Sequence, residues 1–217
     1  MELDDALLTT RAMRRYSDEP VTDEEILHCL QAAQQAPSGG NVQPWQYLVV
    51  TDAPLRTAVG ALYRRAYDRY ERTLLAVTPR FRTPEDESSW RRTAAASRHL
   101  ADHFGEAPAM VLFLLPIIEW TPRDDEGPMD IGPLYASVYP AVQNFMLAAR
   151  GLGIGTALTT VVRILHDDLR AVLAIPETME VAAVVPMGRP TGEFGRARRK
   201  PVAAVTHWQQ FGNKRSV

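Results

Sequence analysis

Ala36-Pro37-Ser38-Gly39-Gly40-Asn41-Val42-Gln43-Pro44-Trp45 is the stretch of this 217-residue chain whose reading decides the fold. Its two glycines free the backbone to approach a ligand closely. Ser38, Asn41 and Gln43 add side-chain donors and acceptors within a loop bracketed by Pro37 and Pro44. Trp45, at its end, is placed to wall an apolar pocket. Pro-Ser-Gly-Gly-Asn is equally a common turn composition, so taken alone the stretch also reads as an ordinary tight connection.

Upstream of it, Leu3 to Thr9 reads as a short first helix. Thr22-Asp23-Glu24-Glu25 has the pattern of a capping box, in which the threonine hydroxyl and a glutamate three residues on satisfy free backbone donors. The helix it opens is expected to run to about Ala36, with Ile26, Leu30 and Ala33 on one face, and to stop at Pro37. Downstream, Trp45 to Thr51 is β-rich. Asp52 and Pro54 then open a helix with Leu55, Val59, Leu62 and Ala66 at helical spacing.

From Arg64 to Arg92 the chain is crowded with arginine and tyrosine and interrupted by Pro79 and Pro84, which predicts a mobile polar excursion. A helix through His99 leads to a central strand, Ala109 to Leu115, and then a loop rich in Pro, Gly and Asp. Leu134 to Arg150 is the most apolar helical segment. Val138, Val142, Phe145 and Ala149 share one face, and Ala136, Ala141 and Ala148 occupy the others. That pattern predicts burial nearly all round, in a core or at a subunit interface. Gly151-Leu152-Gly153 ends the helix. A strand from Ile154, a short helix from Asp167 to Ala174 and a strand from Val181 to Met187 follow. Strands among long helices, without strict alternation, predict an α+β sandwich in a single domain, 1–217.

Composition bounds the function. The net charge of −2 gives no overall positive field for nucleic acid or anionic lipid. The one cysteine, Cys29, lies beside Leu27 and Leu30 in a helical pattern and reads as a buried structural thiol. The acidic start Met1-Glu2-Leu3-Asp4-Asp5 lacks the features of a secretory signal. The longest apolar run, Met110 to Ile118, is the length of one strand rather than a membrane span. The expected location is the cytoplasm.

Three further stretches carry possible chemistry. Thr10-Arg11-Ala12-Met13-Arg14-Arg15-Tyr16 packs three guanidinium forks beside a turn, a pattern suited to phosphate. Arg196-Ala197-Arg198-Arg199-Lys200-Pro201 is a second cationic cluster. Each reads equally as a solvated basic segment. Leu158-Thr159-Thr160 ends an apolar strand, where loops open onto ligands, although β-branched residues there need no function. His99 and His103 share a helix face at metal-ligand spacing, but no third ligand is evident and no metal is expected. Ser38 and Ser137 lack a nucleophile elbow, and no Gly-x-Gly-x-x-Gly opens a helix after a strand.

The order of these pieces resembles the nitroreductase family of flavoproteins: Arg11 and Arg14, then the Pro37 to Trp45 loop, Gly151-Leu152-Gly153, and Arg199-Lys200-Pro201. The resemblance runs from about Leu8 to Trp208. It implies an α-β-α sandwich with a mostly antiparallel central sheet, assembled as a homodimer with FMN at the interface. It further implies that Arg11, Ala12, Arg14 and Arg199 surround the FMN phosphate. Pro37, Ser38, Gly39, Asn41 and Gln43 would reach the flavin from the other subunit. Leu158, Thr159 and Thr160 would lie beside the isoalloxazine ring, with Thr159 or Thr160 tuning it. The flavin carries the chemistry, so no catalytic acid or base is assigned. NADH or NADPH would be the donor and a small nitroaromatic or quinone the acceptor, in a ping-pong hydride transfer. Flavin storage without turnover, a specialised flavin oxidase or dehydrogenase, and a dehalogenase are the alternatives. Residues 64–92 would form the lid, with Tyr63, Tyr67 and Tyr70 lining an aromatic site and Arg69 or Arg72 attracting anions, and an ordinary solvated helix is the alternative reading. Residues 196–217 would form a C-terminal extension. Where the family begins Arg-Arg-Ser, this chain has Thr10-Arg11-Ala12, so one guanidinium and one hydroxyl are missing from the phosphate site.

Overall fold

The computed structural model describes residues 1–77, 80–119 and 121–215, Leu75 without its side chain. Among these residues the strands are β1 (Gln46–Val50), β2 (Ala109–Pro116), β3 (Arg123–Asp124), β4 (Gly127–Pro128), β5 (Gly155–Thr156) and β6 (Met179–Gly188). The helices are α1 (Leu3–Thr9), α2 (Asp23–Ala33), α3 (Ala53–Ala76), α4 (Pro84–Asp102), α5 (Tyr135–Gly151), α6 (His166–Leu173) and α7 (Val202–Val205).

The sheet has the order β1-β2-β6-β5, and every neighbour is antiparallel. Because side chains alternate across a strand, β2 sends Val111, Phe113 and Leu115 to one core and Met110, Leu112 and Leu114 to the other. Both faces are covered, which is why β2 reads as one unbroken apolar run. The β2–β6 register skips a residue between Phe113 and Leu114, so Ala182 is the extra residue of a bulge. Ala182 and Ala183 therefore face the same core, and Val184 returns to the opposite one.

Helices α2 and α5 cover one face. Helix α3, the 3-10 turns Phe104–Glu106 and Val161–Leu165, and α6 cover the other. The α-β-α sandwich with an antiparallel sheet is thus present. The capping box forms as read: the Glu25 N–H donates to Thr22 Oγ1 at 3.3 Å and the Thr22 N–H to Glu25 Oε2 at 3.0 Å. Cys29 is fully buried, and burial pushes its thiol up to about 12, the behaviour of an inert structural cysteine.

Most of the stretch 64–92 belongs to α3 and α4, with Thr83 and Pro84 starting the second helix (Pro79 lies outside the described residues). Arg64, Arg65, Arg69, Arg72, Arg80, Arg82, Arg91 and Arg92 are all exposed. The two helices are clamped by a later arginine. Arg98 pairs with Asp68 at 2.7 Å and Glu71 at 3.0 Å on α3, and with Asp102 at 3.2 Å on α4. Its guanidinium also lies over the Tyr67 ring. Helix α5, expected to be buried in a core or at a subunit interface, has only part of its surface covered within the single chain. Ala136, Tyr139 and Gln143 are exposed, while Val138, Ala141, Val142, Phe145 and Ala149 face the core. Alanines fit a fully enclosed helix and a half-exposed one equally well, so composition alone could not separate them. Smaller differences are that α2 ends at Ala33, β5 spans only two residues and β6 extends beyond the expected limits at both ends.

Helix α6 is tied to the sheet by the Val181 N–H, which donates to His166 Nε2 at 3.2 Å. That bond needs a neutral ring, and burial, with the charges of Arg170 and Arg163, holds the His166 pKa below its ordinary 6.5. The unfolded chain therefore takes up this proton at a higher pH than the folded one. The stabilisation is complete above the ordinary value and is lost as the pH falls from 6.5 through the lowered folded value. His99, also lowered by burial and by Arg15, contributes with the same sign. Denaturant titrations between about pH 8 and about pH 5 are expected to show falling stability, with a shallower slope in His166→Gln.

Candidate functional site

The Pro37–Trp45 loop leaves α2 and turns sharply before β1. Gly40, Asn41 and Gln43 all have positive φ, at 57°, 55° and 50°. Glycine and asparagine tolerate that region, but a glutamine there is strained, and its neighbours hold it in place. The Gln43 N–H donates to Ser38 Oγ at 3.0 Å, and Gln43 Nε2 donates to Asn41 Oδ1 at 3.2 Å. The Gly39 N–H reaches Ser137 Oγ on α5 at 3.4 Å. Trp45 does not wall an open pocket: it is buried in the core and donates from Nε1 to Gln34 Oε1 at 2.6 Å. A large aromatic next to a loop anchors it at least as readily as it lines it.

Beside this loop opens a cleft of about 980 Å³, with Pro37, Val42, Ile118, Met129, Ile131 and Leu134 among its lining. It is large enough for an organic ligand or a segment of protein. Val42, Ile118 and Ile131 are well exposed in the single chain.

The N-terminal arginines are set by β5. Ala12 bridges Thr156 in parallel, and the Met13 N–H donates to Thr156 O at 2.9 Å. Residues 11–16 thus run along the sheet edge. Tyr16 locks the far end, donating to Met13 O at 2.5 Å and lying 3.2 Å from Pro186 O. Burial keeps its phenol far above the ordinary value and therefore protonated. The approach is close enough to require glycine on the sheet. A Cβ at Gly155 would lie 2.8 Å from Met13 Cβ, and one at Gly188 would lie 3.0 Å from Tyr16 Cβ.

Eight of the 22 arginines have carboxylate partners among the described residues. Arg64, Arg65, Arg91, Arg98, Arg163, Arg170, Arg189 and Arg198 are all within 4.0 Å of one. Among the described residues Arg11 and Arg14 are not. Arg15 is turned away and donates to the His99 ring at 3.0 Å. His99 stacks on His103, which faces Glu106, so these imidazoles belong to a surface network. Arg199 is exposed, with its guanidinium donating to the neighbouring Arg198 carbonyl. Among the described residues no hydrogen bond joins it to Arg11 or Arg14.

Leu158, Thr159 and Thr160 follow β5 with alternating burial. Leu158 and Thr160 are exposed, whereas Thr159 is buried. Its hydroxyl is occupied internally, accepting from the Val161 N–H at 3.3 Å and lying 3.1 Å from the Tyr63 hydroxyl. Tyr63 and Tyr67 are themselves core residues, 3% and 5% exposed, and of the three lid tyrosines only Tyr70 presents a face to solvent. Arg69 and Arg72 are exposed on α3. Sequence reasoning missed the roles of Tyr16, Gly155 and Gly188. Gly155 was visible as an interior glycine of an apolar run, which marks close backbone approach.

The chain matches the family model described as the nitroreductase family over residues 7–189. It is 31% identical over 196 residues to a nitrobenzene nitroreductase of Ectopseudomonas oleovorans, covering 86% of each chain. It is 27% identical over 186 residues to an iodotyrosine deiodinase of Thermotoga neapolitana, covering 83% of this chain and 84% of the relative. An FMN and NADPH-dependent nitroreductase, NfnB from sphigopyxis sp. strain HMH, has the same fold, with a TM-score of 0.70 at 21% identity. That match covers 97% of this chain and all of the other. Among the described residues no helix is long and apolar enough to cross a membrane.

Proposed function

The chain belongs to the nitroreductase family, and on that premise we propose that it binds FMN and uses NADH or NADPH to reduce nitroaromatic or quinone-type acceptors. The observation that carries the reading is the pair Arg11 and Arg14. Two guanidinium groups, carried on an edge segment held by backbone bonds and without a carboxylate partner among the described residues, are available to an anion. A flavin phosphate supplies that anion. Arg199 is assigned as a third contact made once the phosphate is bound.

FMN, when bound, would supply the hydride-transfer chemistry between the nicotinamide donor and the acceptor. The chain's own residues bind and orient. Met13 and Tyr16 hold the arginine segment against the sheet, where Arg11 and Arg14 would hold the phosphate. Thr160 is the candidate for contact with the ring, because Thr159 has its hydroxyl and backbone committed to the interior. Leu158 presents an apolar side chain on the same side, able to stack and exclude water. The Ser38–Gln43 loop and the cleft beside it are assigned to a homodimer interface, across which the loop reaches the partner's flavin. The exposed apolar side chains of that face support this assignment.

The protein purified without added cofactor is expected to be yellow, and to bleach promptly when NADH or NADPH is added without oxygen. Nitrobenzene or a simple quinone should then restore the colour. Flavin that binds but resists both donors would favour storage or a substrate-driven oxidase. A colourless protein that cannot be reconstituted with FMN would defeat the proposal. Sedimentation at micromolar concentration should give a dimer, and a monomer with FMN bound would defeat the shared site.

A further inference from the structure

Thr159 sits where α3, β6 and the proposed flavin edge meet. Its backbone N–H and carbonyl are both paired with Val184, each at 2.9 Å. Its hydroxyl accepts from the Val161 N–H at 3.3 Å and lies 3.1 Å from the Tyr63 hydroxyl, 96 residues away in sequence. Both side chains are buried, so this is an interior bond with little competition from water. Tyr63 cannot drift from it readily, because its ring stacks on Phe104 at 4.0 Å and 17°.

Leu158 and Thr160 are bonded directly to Thr159, so its anchoring at the Val184 bridge couples their placement to its own. Thr159 is buried, while Leu158 and Thr160 are exposed. We propose that Tyr63 is a positioning residue for the flavin site, setting the placement of Leu158 and Thr160 through its hydrogen bond to the Thr159 hydroxyl. This rests on the reading that the Leu158–Thr160 segment lies along the flavin. Burial keeps the Tyr63 phenol above its ordinary pKa, outweighing the opposing charges of Arg14 and Arg98, so the hydroxyl keeps its proton and the bond persists at working pH.

The test is a cycle of full-length variants read by FMN titration, the visible spectrum of bound flavin and thermal unfolding. Tyr63→Phe keeps the stacked ring and removes only the hydroxyl. It is expected to weaken FMN about tenfold and to shift the flavin absorption bands. Thr159→Val, which also removes the acceptor of the Val161 N–H, should weaken FMN at least as much, and the double variant should be little worse than Thr159→Val alone. Thr159→Ser, which keeps the hydroxyl, should restore the parent's affinity and spectrum. Tyr67→Phe, the same deletion one turn along α3, should leave both unchanged. Parent-like affinity and spectrum in Tyr63→Phe would overturn the proposal. So would fully additive losses in the double variant, or a Thr159→Ser no better than Thr159→Val. If Tyr63→Phe fails to fold, the contrast between Thr159→Ser and Thr159→Val decides. A parent protein that binds no FMN overturns the underlying reading, and is recognised before any variant is made.

Discussion

Replacing Arg11 and Arg14 together with alanine is expected to give a folded, colourless protein that binds FMN at least about a hundredfold more weakly. The size follows from charge-assisted hydrogen bonds of about 1.5–3 kcal/mol each, with about 1.4 kcal/mol per tenfold. The fold should survive because neither side chain has a carboxylate partner among the described residues to leave stranded, and both lie on a segment held by backbone bonds. Arg189→Ala is the contrasting change. That guanidinium ties Glu19 and Glu25 at 3.0 and 2.6 Å and donates to Leu152 O, so stability should fall while the FMN site stays intact. Isothermal titration with FMN alongside thermal unfolding separates the two outcomes. An Arg11/Arg14 double variant that stays yellow through purification would remove these residues from the phosphate site.

Gly155→Ala is expected to have the second largest effect, out of proportion to one added methyl group. The new Cβ would stand 2.8 Å from Met13 Cβ and close to Pro190 Cβ. Neither is the free end of a flexible side chain, so the backbone of the arginine segment must move. Overpacking of this kind costs about 1–3 kcal/mol. More telling is its direction: the displacement lifts residues 11–14 from β5, so FMN affinity should drop by at least tenfold even if the protein remains folded. Gly153→Ala offers the comparison. Its neighbourhood is open, but its φ is +74°, so it should destabilise the end of α5 without crowding the arginines. Equal FMN affinities in the two variants would show that the close approach at Gly155 does not matter.

Much of the sheet was legible from residue order alone. The runs at 109–115 and 181–187 appear as β2 and β6 because a strand covered on both faces must be apolar throughout. The capping box at Thr22 was legible because its logic is local. What composition hid was anything decided by distant partners. The arginines of the 64–92 stretch are exposed, as their type suggests, but Tyr67 within it is buried. Arg98 meets its carboxylates across two helices, and Tyr63 meets its hydroxyl partner 96 residues away. The candidate site shows the same division. Arg11, Arg14 and the Ser38–Gln43 loop could be singled out by type and spacing. That Thr159 faces inward while Thr160 faces outward could not, since it depends on the register that joins Thr159 to Val184.

The strand order also governs how the chain can be made. β2 lies between β1 and β6, and β6 comes from residues 179–188, near the end of the chain. A ribosome adding about 5–20 residues per second needs roughly 4–14 s after completing β2 to complete β6. During that interval the eight-residue β2 strand has one edge paired at most, and its apolar side chains lack much of their eventual cover. The nascent chain is therefore a natural client for holdase chaperones until its last third has emerged.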